Sequence, residues 1–344
     1  MSNPIPRYGY SPSYADNSGM PTRRLPLLLA AVLALAVPVA PAAAGTDAAR
    51  VVEEIRLDER TLDLRIDSPA LGRVESVRLL LPAGWSAEAA RTWPVLYLLH
   101  GADADYRAWT EHTDVAAATA GADAIIVLPE GGRCGNYSDW WNQGRHGPPA
   151  WETFHLTEVR GLLERHYRAG PERAVAGLSM GGFGALSYAA RRPGMFRAAA
   201  SYSGAVHTLI DRPRWPDGPD VIKLMRLACA GIDWRDLWGD PRIPAQREIW
   251  QRRNPYDLAA KLRDTRLYIS SGNGETGPLR PPGSGTFEAV AERVVHDMGR
   301  ALVGRLTELG VPVTTHFYDG GHTWPYWQRE LRRSLPMLLR AIGG

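Results

Sequence analysis

Cysteine is nearly absent: the 344 residues hold two, Cys134 and Cys229. Neither stands at a spacing that would build a metal site. In an exported chain the two could pair, but sequence alone leaves open whether their Cα atoms come close enough, and two free buried thiols fit equally well. Phenylalanine is also scarce, at five against twelve tryptophans. An excess of Trp suits a site for large apolar or sugar groups, and equally a core. Net charge is small at +3 and no Lys/Arg block stands out, so nothing points to a nucleic-acid partner. There is no internal repeat, no G-x-G-x-x-G turn and no P-loop to support nucleotide binding. The length fits one large α/β domain or two small ones, and the hydrophobic fraction of 44% is ordinary for a globular protein.

Long uncharged runs are confined to the start of the chain. Met1 to Pro21 is polar and rich in Pro, Ser and Tyr, a composition that predicts disorder. Arg23-Arg24 then precede an uncharged run from Leu25 to Ala44, and Ala42-Ala43-Ala44 before Gly45 offers an A-x-A cleavage site. This is the pattern of a secretory signal peptide. Thr22-Arg23-Arg24 allows a twin-arginine route beside the Sec route. An uncleaved anchor is the alternative, since the run is nearly long enough to span a bilayer. Pro26, Pro38, Pro41 and the alanine-rich end favour cleavage, and no Cys stands there to make a lipoprotein. The expected organisation is an export signal over 1–44 and a single catalytic domain over 45–344, secreted or associated with the cell envelope.

The most informative stretch is Val175 to Gly184. It contains Gly177-Leu178-Ser179-Met180-Gly181, a G-x-S-x-G match, between a short apolar run (Ala174-Val175-Ala176) and a helical pattern from Gly182 to Arg192 that stops at Pro193-Gly194. Strand, sharp turn and helix form the context of a nucleophile elbow. Glycine is required where the turn leaves no room for side chains. The elbow lifts Ser179 toward the free N–H groups of the helix's first turn, which favour developing negative charge.

The rest of the chain supplies a frame for that elbow. Thr61 to Asp67 alternates apolar and polar residues, as a half-buried strand does, and with Val74 to Leu81 predicts an antiparallel hairpin at a sheet edge. Val95–Leu99 and Ile125–Leu128 are continuous apolar runs, the signature of strands buried on both faces. Further strands are expected at Arg197–Ser203, Arg266–Ser271 and Val313–Tyr318. Helices are expected at Thr157–Arg168 and Thr286–Leu309, with a short one starting at Asn254-Pro255, where Asn would be the N-cap. Alternating strands and helices give a mostly parallel sheet covered on both faces, with ligands beyond the carboxyl ends of the strands. The segment 204–256, with Trp215, Trp234, Trp238 and Trp250, reads as a cap-like excursion over the site.

A serine hydroxyl needs a base to take its proton and an acid to hold that base in one tautomer. In this architecture the order is Ser, acid, His. His322, in Gly320-Gly321-His322-Thr323-Trp324 just past the last strand, is the candidate base. His316 is committed to a sheet face, His296 to a helix, and His207 precedes any acid. Glu275 follows the strand at Arg266–Ser271 and is the candidate acid, with Asp319 a rival. The two oxyanion donors expected are the backbone N–H groups of Met180, next to the nucleophile, and Ala102, in the loop after Val95–Leu99.

These residues resemble the antigen 85 mycolyltransferases and their esterase relatives, the esterase D branch of the α/β-hydrolases. The likeness is carried by Gly177-Leu-Ser-Met-Gly181, Tyr137-Ser-Asp-Trp140, Trp151-Glu-Thr-Phe154, Gly272-Asn-Gly274 with Glu275, and His322-Thr-Trp-Pro-Tyr-Trp327, in order from about Thr61 to the C-terminus. The resemblance implies an α/β-hydrolase fold and acyl transfer through an acyl-serine by Ser179, Glu275 and His322. It implies that the N–H groups of Ala102 and Met180 hold the oxyanion. It also implies a substrate site lined by His100, Asp103, Trp140 and Trp324, the last against sugar and acyl groups. Two positions depart from it: the mycolyltransferases carry an Asp that contacts the sugar where His100 stands, and an Arg where Asp103 stands. Leu99-His100-Gly101 reads as in general esterases, so acyl-serine chemistry is implied and trehalose recognition is not.

The sequence therefore predicts an exported serine esterase or acyltransferase acting on a small ester, an acyl sugar or a lipid, with no metal or organic cofactor. A trehalose mycolyltransferase of the envelope is the first alternative, and a non-catalytic carbohydrate- or matrix-binding protein on the same fold the second. The acyl chain length and the acceptor are not encoded in any motif.

Overall fold

The computed structural model describes residues 48–211 and 220–344. The predicted export signal over 1–44, and Trp215 of the excursion, lie outside them. In chain order the elements are β1 (Arg50–Arg56), β2 (Thr61–Ser68), β3 (Arg73–Leu80), β4 (Trp93–Leu99), α1 (Ala108–His112), α2 (Val115–Ala118), β5 (Ile125–Pro129), α3 (Trp151–Thr153), a π-helical turn (Phe154–Val159), α4 (Arg160–His166), β6 (Ala169–Leu178) and α5 (Met180–Arg191). They continue with β7 (Ala198–Tyr202), α6 (Asp220–Ala228), α7 (Trp234–Trp238), α8 (Pro244–Gln251), β8 (Arg266–Gly272), α9 (Thr286–Glu308), β9 (Thr314–Tyr318) and α10 (Trp324–Ile342).

The nine strands form one sheet in the order β1-β2-β3-β5-β4-β6-β7-β8-β9. β1, β2, β3 and β5 pair antiparallel, and every pair from β5 through β4 to β9 is parallel. The crossing of β4 and β5 puts the carboxyl ends of β4 and β6, which are distant in sequence, side by side, with Leu99 opposite Gly177. This is the α/β-hydrolase arrangement. It brings the loop after β4 against the elbow after β6, at the carboxyl edge where ligands bind in such sheets.

Alternation along the buried strands splits the core into two layers. Val95, Tyr97 and Leu99 face one layer with Phe183 and Leu186 of α5 and Val294, Met298 and Leu302 of α9. Leu96 and Leu98 face the other, with Leu331, Leu335 and Leu338 of α10. Both faces are covered, which is why these strands are apolar at every position.

Three local expectations change. β2 is not half-buried: its polar Asp63 is buried in a bidentate pair with Arg78, its partner across β3, at 2.7 and 2.8 Å. The hairpin is not the sheet edge either, because the exposed β1 lies outside it. No regular helix starts at Asn254. Its carboxamide oxygen accepts from the Thr208 N–H at 2.9 Å and its amide donates to Asp257 at 2.8 Å, tying two loops together instead of capping.

The excursion carries α6, α7 and α8, and its described tryptophans are core. Trp234, Trp238 and Trp250 are buried. Trp238 meets Trp250 edge-on at 4.8 Å, and the Trp250 indole N–H donates to the Gly239 carbonyl at 3.0 Å.

Candidate active site

Ser179 sits between the end of β6 and the start of α5 with φ 52° and ψ −117°. That backbone is strained for a residue with a side chain, and it persists because the surroundings fix it. The Ser179 N–H donates to the Tyr202 carbonyl of β7 at 2.9 Å. The flanking glycines are required by close approach. A Cβ on Gly177 would run into the backbone of Gly181, and one on Gly181 into the carbonyl oxygens of Leu99 and His100. The contact with Leu99 and His100 brings the β4 loop up to the nucleophile.

The Ser179 hydroxyl lies 2.9 Å from His322 Nε2 and donates to it. His322 Nδ1–H donates at 2.6 Å to a carboxylate, and that carboxylate is Glu292, not Glu275. Glu292 is fully buried on α9. Its second oxygen accepts from the Ser203 hydroxyl at 2.8 Å and from the Gly272 N–H at 2.5 Å. The Trp327 indole N–H donates to Ser203 at 3.1 Å, and the His322 ring stands edge-on to Trp327 at 4.9 Å. Every oxygen of the buried acid is thus matched, as a buried charge requires.

Glu275 is exposed and pairs with Arg293 on the far side of α9. The loop after β8 is stitched to the loop after β9, the Asn273 and Gly274 N–H groups donating to Tyr318 and Gly320. This holds Glu275 outward and leaves the acid position to the helix that follows. Asp319 accepts from the Asn273 side chain at 2.6 Å and is likewise not against His322. A sequence signal for Glu292 existed. Within Thr286–Glu308 it shares a buried stripe with Val295, Gly299, Leu302 and Leu306, and a carboxylate on an apolar stripe needs a partner.

The N–H groups of Ala102 and Met180 make no hydrogen bond among the described residues, and both residues border a cavity that holds Ser179. His100 does not line the site. It is buried beneath the loop, where its Nε2 accepts from the Gly131 N–H and its Nδ1–H donates to the Gly101 carbonyl, both at 2.8 Å. An N–H aimed at Nε2 fixes the neutral tautomer, so His100 braces the backbone that carries Ala102. Tyr137 adds to this brace by donating to the His100 carbonyl at 2.9 Å. Behind it His155 is fully buried, accepts from the Tyr188 hydroxyl at 2.8 Å and donates to the Glu130 carbonyl at 2.7 Å; burial pushes its pKa down to about 4.

Trp140 lines neither cavity at Ser179; its indole N–H is spent on the Gly135 carbonyl at 3.1 Å. Asp103 and Trp324 do line the site. Asp103 has φ 60°, its N–H donates to the Arg133 carbonyl at 2.9 Å, and its carboxylate accepts from Arg133 Nε at 2.8 Å. Trp324 stacks edge-on to Trp109 and Trp327 and lies 4.9 Å from the His112 ring.

Ser179 opens onto two spaces of different character. One, of about 600 Å³, is mixed, with Asp103, Asp105, Glu111 and Arg133 beside Ala104, Trp324 and Trp327. The other, of about 360 Å³, is apolar and bordered by Met180, Val221, Met225, Ala291 and Val295, the last four from α6 and α9. Cys134 and Cys229 form a disulfide with Cα atoms 6.0 Å apart. It fastens the end of α6 to the loop that carries Arg133 and Asn136. Among the described residues no group of three or more His, Cys, Asp or Glu is placed to hold a metal ion.

Fold and site together define an α/β-hydrolase with a serine, a histidine and a buried glutamate in hydrogen-bonded sequence. The Esterase family model matches residues 68–338, and the chain belongs to that family. Among curated relatives, Esterase Rv1288 of Mycobacterium tuberculosis is 33% identical over 283 residues, covering 80% of this chain and 58% of that protein. The chain thus spans little more than half the length of that relative. The diacylglycerol acyltransferase/mycolyltransferase Ag85A of the same organism is 30% identical over 302 residues, covering 81% of each chain. Among solved structures, M. tuberculosis MPT51 (FbpC1) superposes with a TM-score of 0.67 at 23% identity, over 83% of this chain and 100% of that one, a likeness of fold. The names of these relatives are those of an esterase and an acyltransferase.

Proposed function

We propose that the protein is an exported serine hydrolase or acyltransferase that cleaves or transfers an ester-linked acyl group through an acyl-serine. The observation that carries this reading is the continuous relay from Ser179 through His322 to the buried Glu292. His322 takes the Ser179 proton as the hydroxyl attacks the ester carbonyl, and Glu292 holds the imidazole in the accepting tautomer and stabilises the imidazolium. The tetrahedral oxyanion falls to the N–H groups of Ala102 and Met180, each such donor being worth about 3 kcal/mol in the transition state. His322 then returns the proton to the leaving alcohol, and Ser179 keeps the acyl group until an acceptor arrives.

The two spaces divide the substrate. The acyl part belongs in the apolar one, the alcohol and the incoming acceptor in the mixed one, which carries Asp105, Glu111 and the aromatic faces of Trp324 and Trp327. A space of about 600 Å³ beside Ser179 is large for water alone, and carboxylates beside aromatic faces favour a hydroxylated acceptor such as a sugar. Its lining residue Asp103, in place of the arginine of the mycolyltransferases, argues for an acceptor other than trehalose. The signal-like leader over 1–44 and the disulfide both support export, since disulfides persist in oxidising compartments.

Ser179→Ala is expected to lower turnover of a p-nitrophenyl ester by about a thousandfold or more. Retained turnover would reject the nucleophile. With wild type, glucose or trehalose added to the assay should divert product from free acid to acyl sugar if the protein is a transferase. Unchanged release of free acid would make it a hydrolase.

A further inference from the structure

Seven large hydrophobic side chains are well exposed among the described residues: Val52, Ile55, Leu57, Val74, Leu227, Ile243 and Phe287. Single exposed apolar residues are ordinary on a protein surface. Two of these stand apart by position. Leu227, 67% exposed, and Phe287, 45% exposed, both border the apolar cavity that holds Ser179, one from α6 and one from α9.

Each continues a stripe that descends to the nucleophile. On α9, Phe287, Ala291 and Val295 recur every four residues, which places them on one helix face. On α6, Leu227 and Leu224 stand above Val221 and Met225, and all four border the same cavity. The α6 and α9 side of the cavity is therefore apolar from its rim inward, while Asp103, Arg133 and Asn136 also border the cavity. A cavity that received only a small soluble ester would need no such rim. The rim suits a substrate whose chain begins outside the protein in an apolar phase, because a chain crossing water re-exposes every methylene.

We propose that Leu227 and Phe287 form a lip that seats the protein on the surface of an aggregated ester lipid, so that an acyl chain passes directly from the lipid phase into the cavity. The exposed Arg226 stands beside Leu227, as is common for elements that rest at a headgroup boundary. The purpose of the lip rests on the acyl-serine reading, but the docking itself requires no chemistry.

The test is cosedimentation of the Ser179→Ala protein with phosphatidylcholine vesicles, with and without Leu227→Ser and Phe287→Ser together. The expected result is binding by the parent and a loss of about tenfold or more in partition for the triple variant, at unchanged melting temperature. Ile55→Ser, at an exposed apolar residue on β1 that does not border the cavity, should bind as the parent does. No vesicle binding by the parent, equal binding by the triple variant, or an equal loss with Ile55→Ser would overturn the proposal. So would a dimer seen by sedimentation velocity that the double substitution dissociates, because a second copy would then be the occupant of the lip. In the Ser179 background, the ratio of turnover on micellar to monomeric p-nitrophenyl ester should fall with the double substitution. An absence of all turnover would reject the acyl-serine reading while leaving the vesicle result to decide the docking.

Discussion

Glu292 is the residue on which the site's electrostatics turn. Among the described residues no Lys or Arg stands against it, and it is held by the His322 N–H, a serine hydroxyl and a backbone N–H. Glu292→Gln keeps the shape but lets an amide face His322, which reverses the preferred tautomer. Turnover of a soluble ester should fall about a thousandfold or more, whereas Glu275→Gln, which only loosens an exposed pair, should stay within about twofold. Comparable losses in the two variants would return the acid to the loop. The difference between them also shows what was legible in the sequence. The contact of Ser179 with His322 was readable because their motifs are local, a tight turn and a glycine-flanked loop. The carboxylate that meets His322 was not, because the rule of a carboxylate just past the strand assumes a short loop. Here residues 273–285 intervene and the helix supplies that carboxylate. His100 misled for a related reason: its place beside the elbow was right, but the backbone of Gly101 and Gly131 absorbs both ring nitrogens. Gly181 makes a further test at this scale. A methyl group there meets the backbone of Leu99 and His100, so Gly181→Ala should destabilise the fold by about 3 kcal/mol in chemical denaturation, together with a loss of turnover.

Elements were legible where burial left a pattern. β4, β5 and β6 read as strands because both faces are covered, and α9 because its apolar stripe repeats over 23 residues. β1 escaped notice since it is an exposed edge with no buried face. α10 was obscured by proline, yet Pro325 stands in its first turn, where no N–H is needed, and Pro336 lies inside a helix held by packing on the sheet. The disulfide acts at this scale. It fastens α6, one wall of the apolar cavity, to the loop beside Arg133, across 95 residues of chain. Replacing both cysteines by serine should cost about 5 kcal/mol in unfolding free energy by the loop-closure argument. The same variant should lose preference for long over short acyl esters, since the α6 wall is no longer tied. An unchanged chain-length profile would show that the wall is held by packing alone.

For the whole molecule, acid sensitivity has an identifiable source behind the site. His155 is fully buried and neutral, with its pKa pushed by burial from 6.5 down to about 4. Unfolding releases it to its ordinary value, so the unfolded chain binds the extra proton between those limits. Its contribution is therefore complete above about pH 6.5 and is lost as pH falls toward 4, amounting to about 3 kcal/mol. His207, stacked on Tyr256 at 3.8 Å, shifts in the same direction through burial. His155→Gln should lower stability at neutral pH but flatten the decline between pH 6.5 and 4 in denaturant titrations. A decline as steep as wild type would place the acid sensitivity elsewhere.

The claim that joins these scales is that Ser179 is acylated with help from His322 and Glu292. Intact mass after rapid mixing with p-nitrophenyl butyrate measures it directly, in wild type and in the Glu292→Gln and Glu275→Gln variants. The account predicts one butyryl group, located on the Ser179 peptide, at similar rates in wild type and Glu275→Gln and far more slowly in Glu292→Gln. An adduct on another residue, or equal acylation rates in the two glutamate variants, would contradict it.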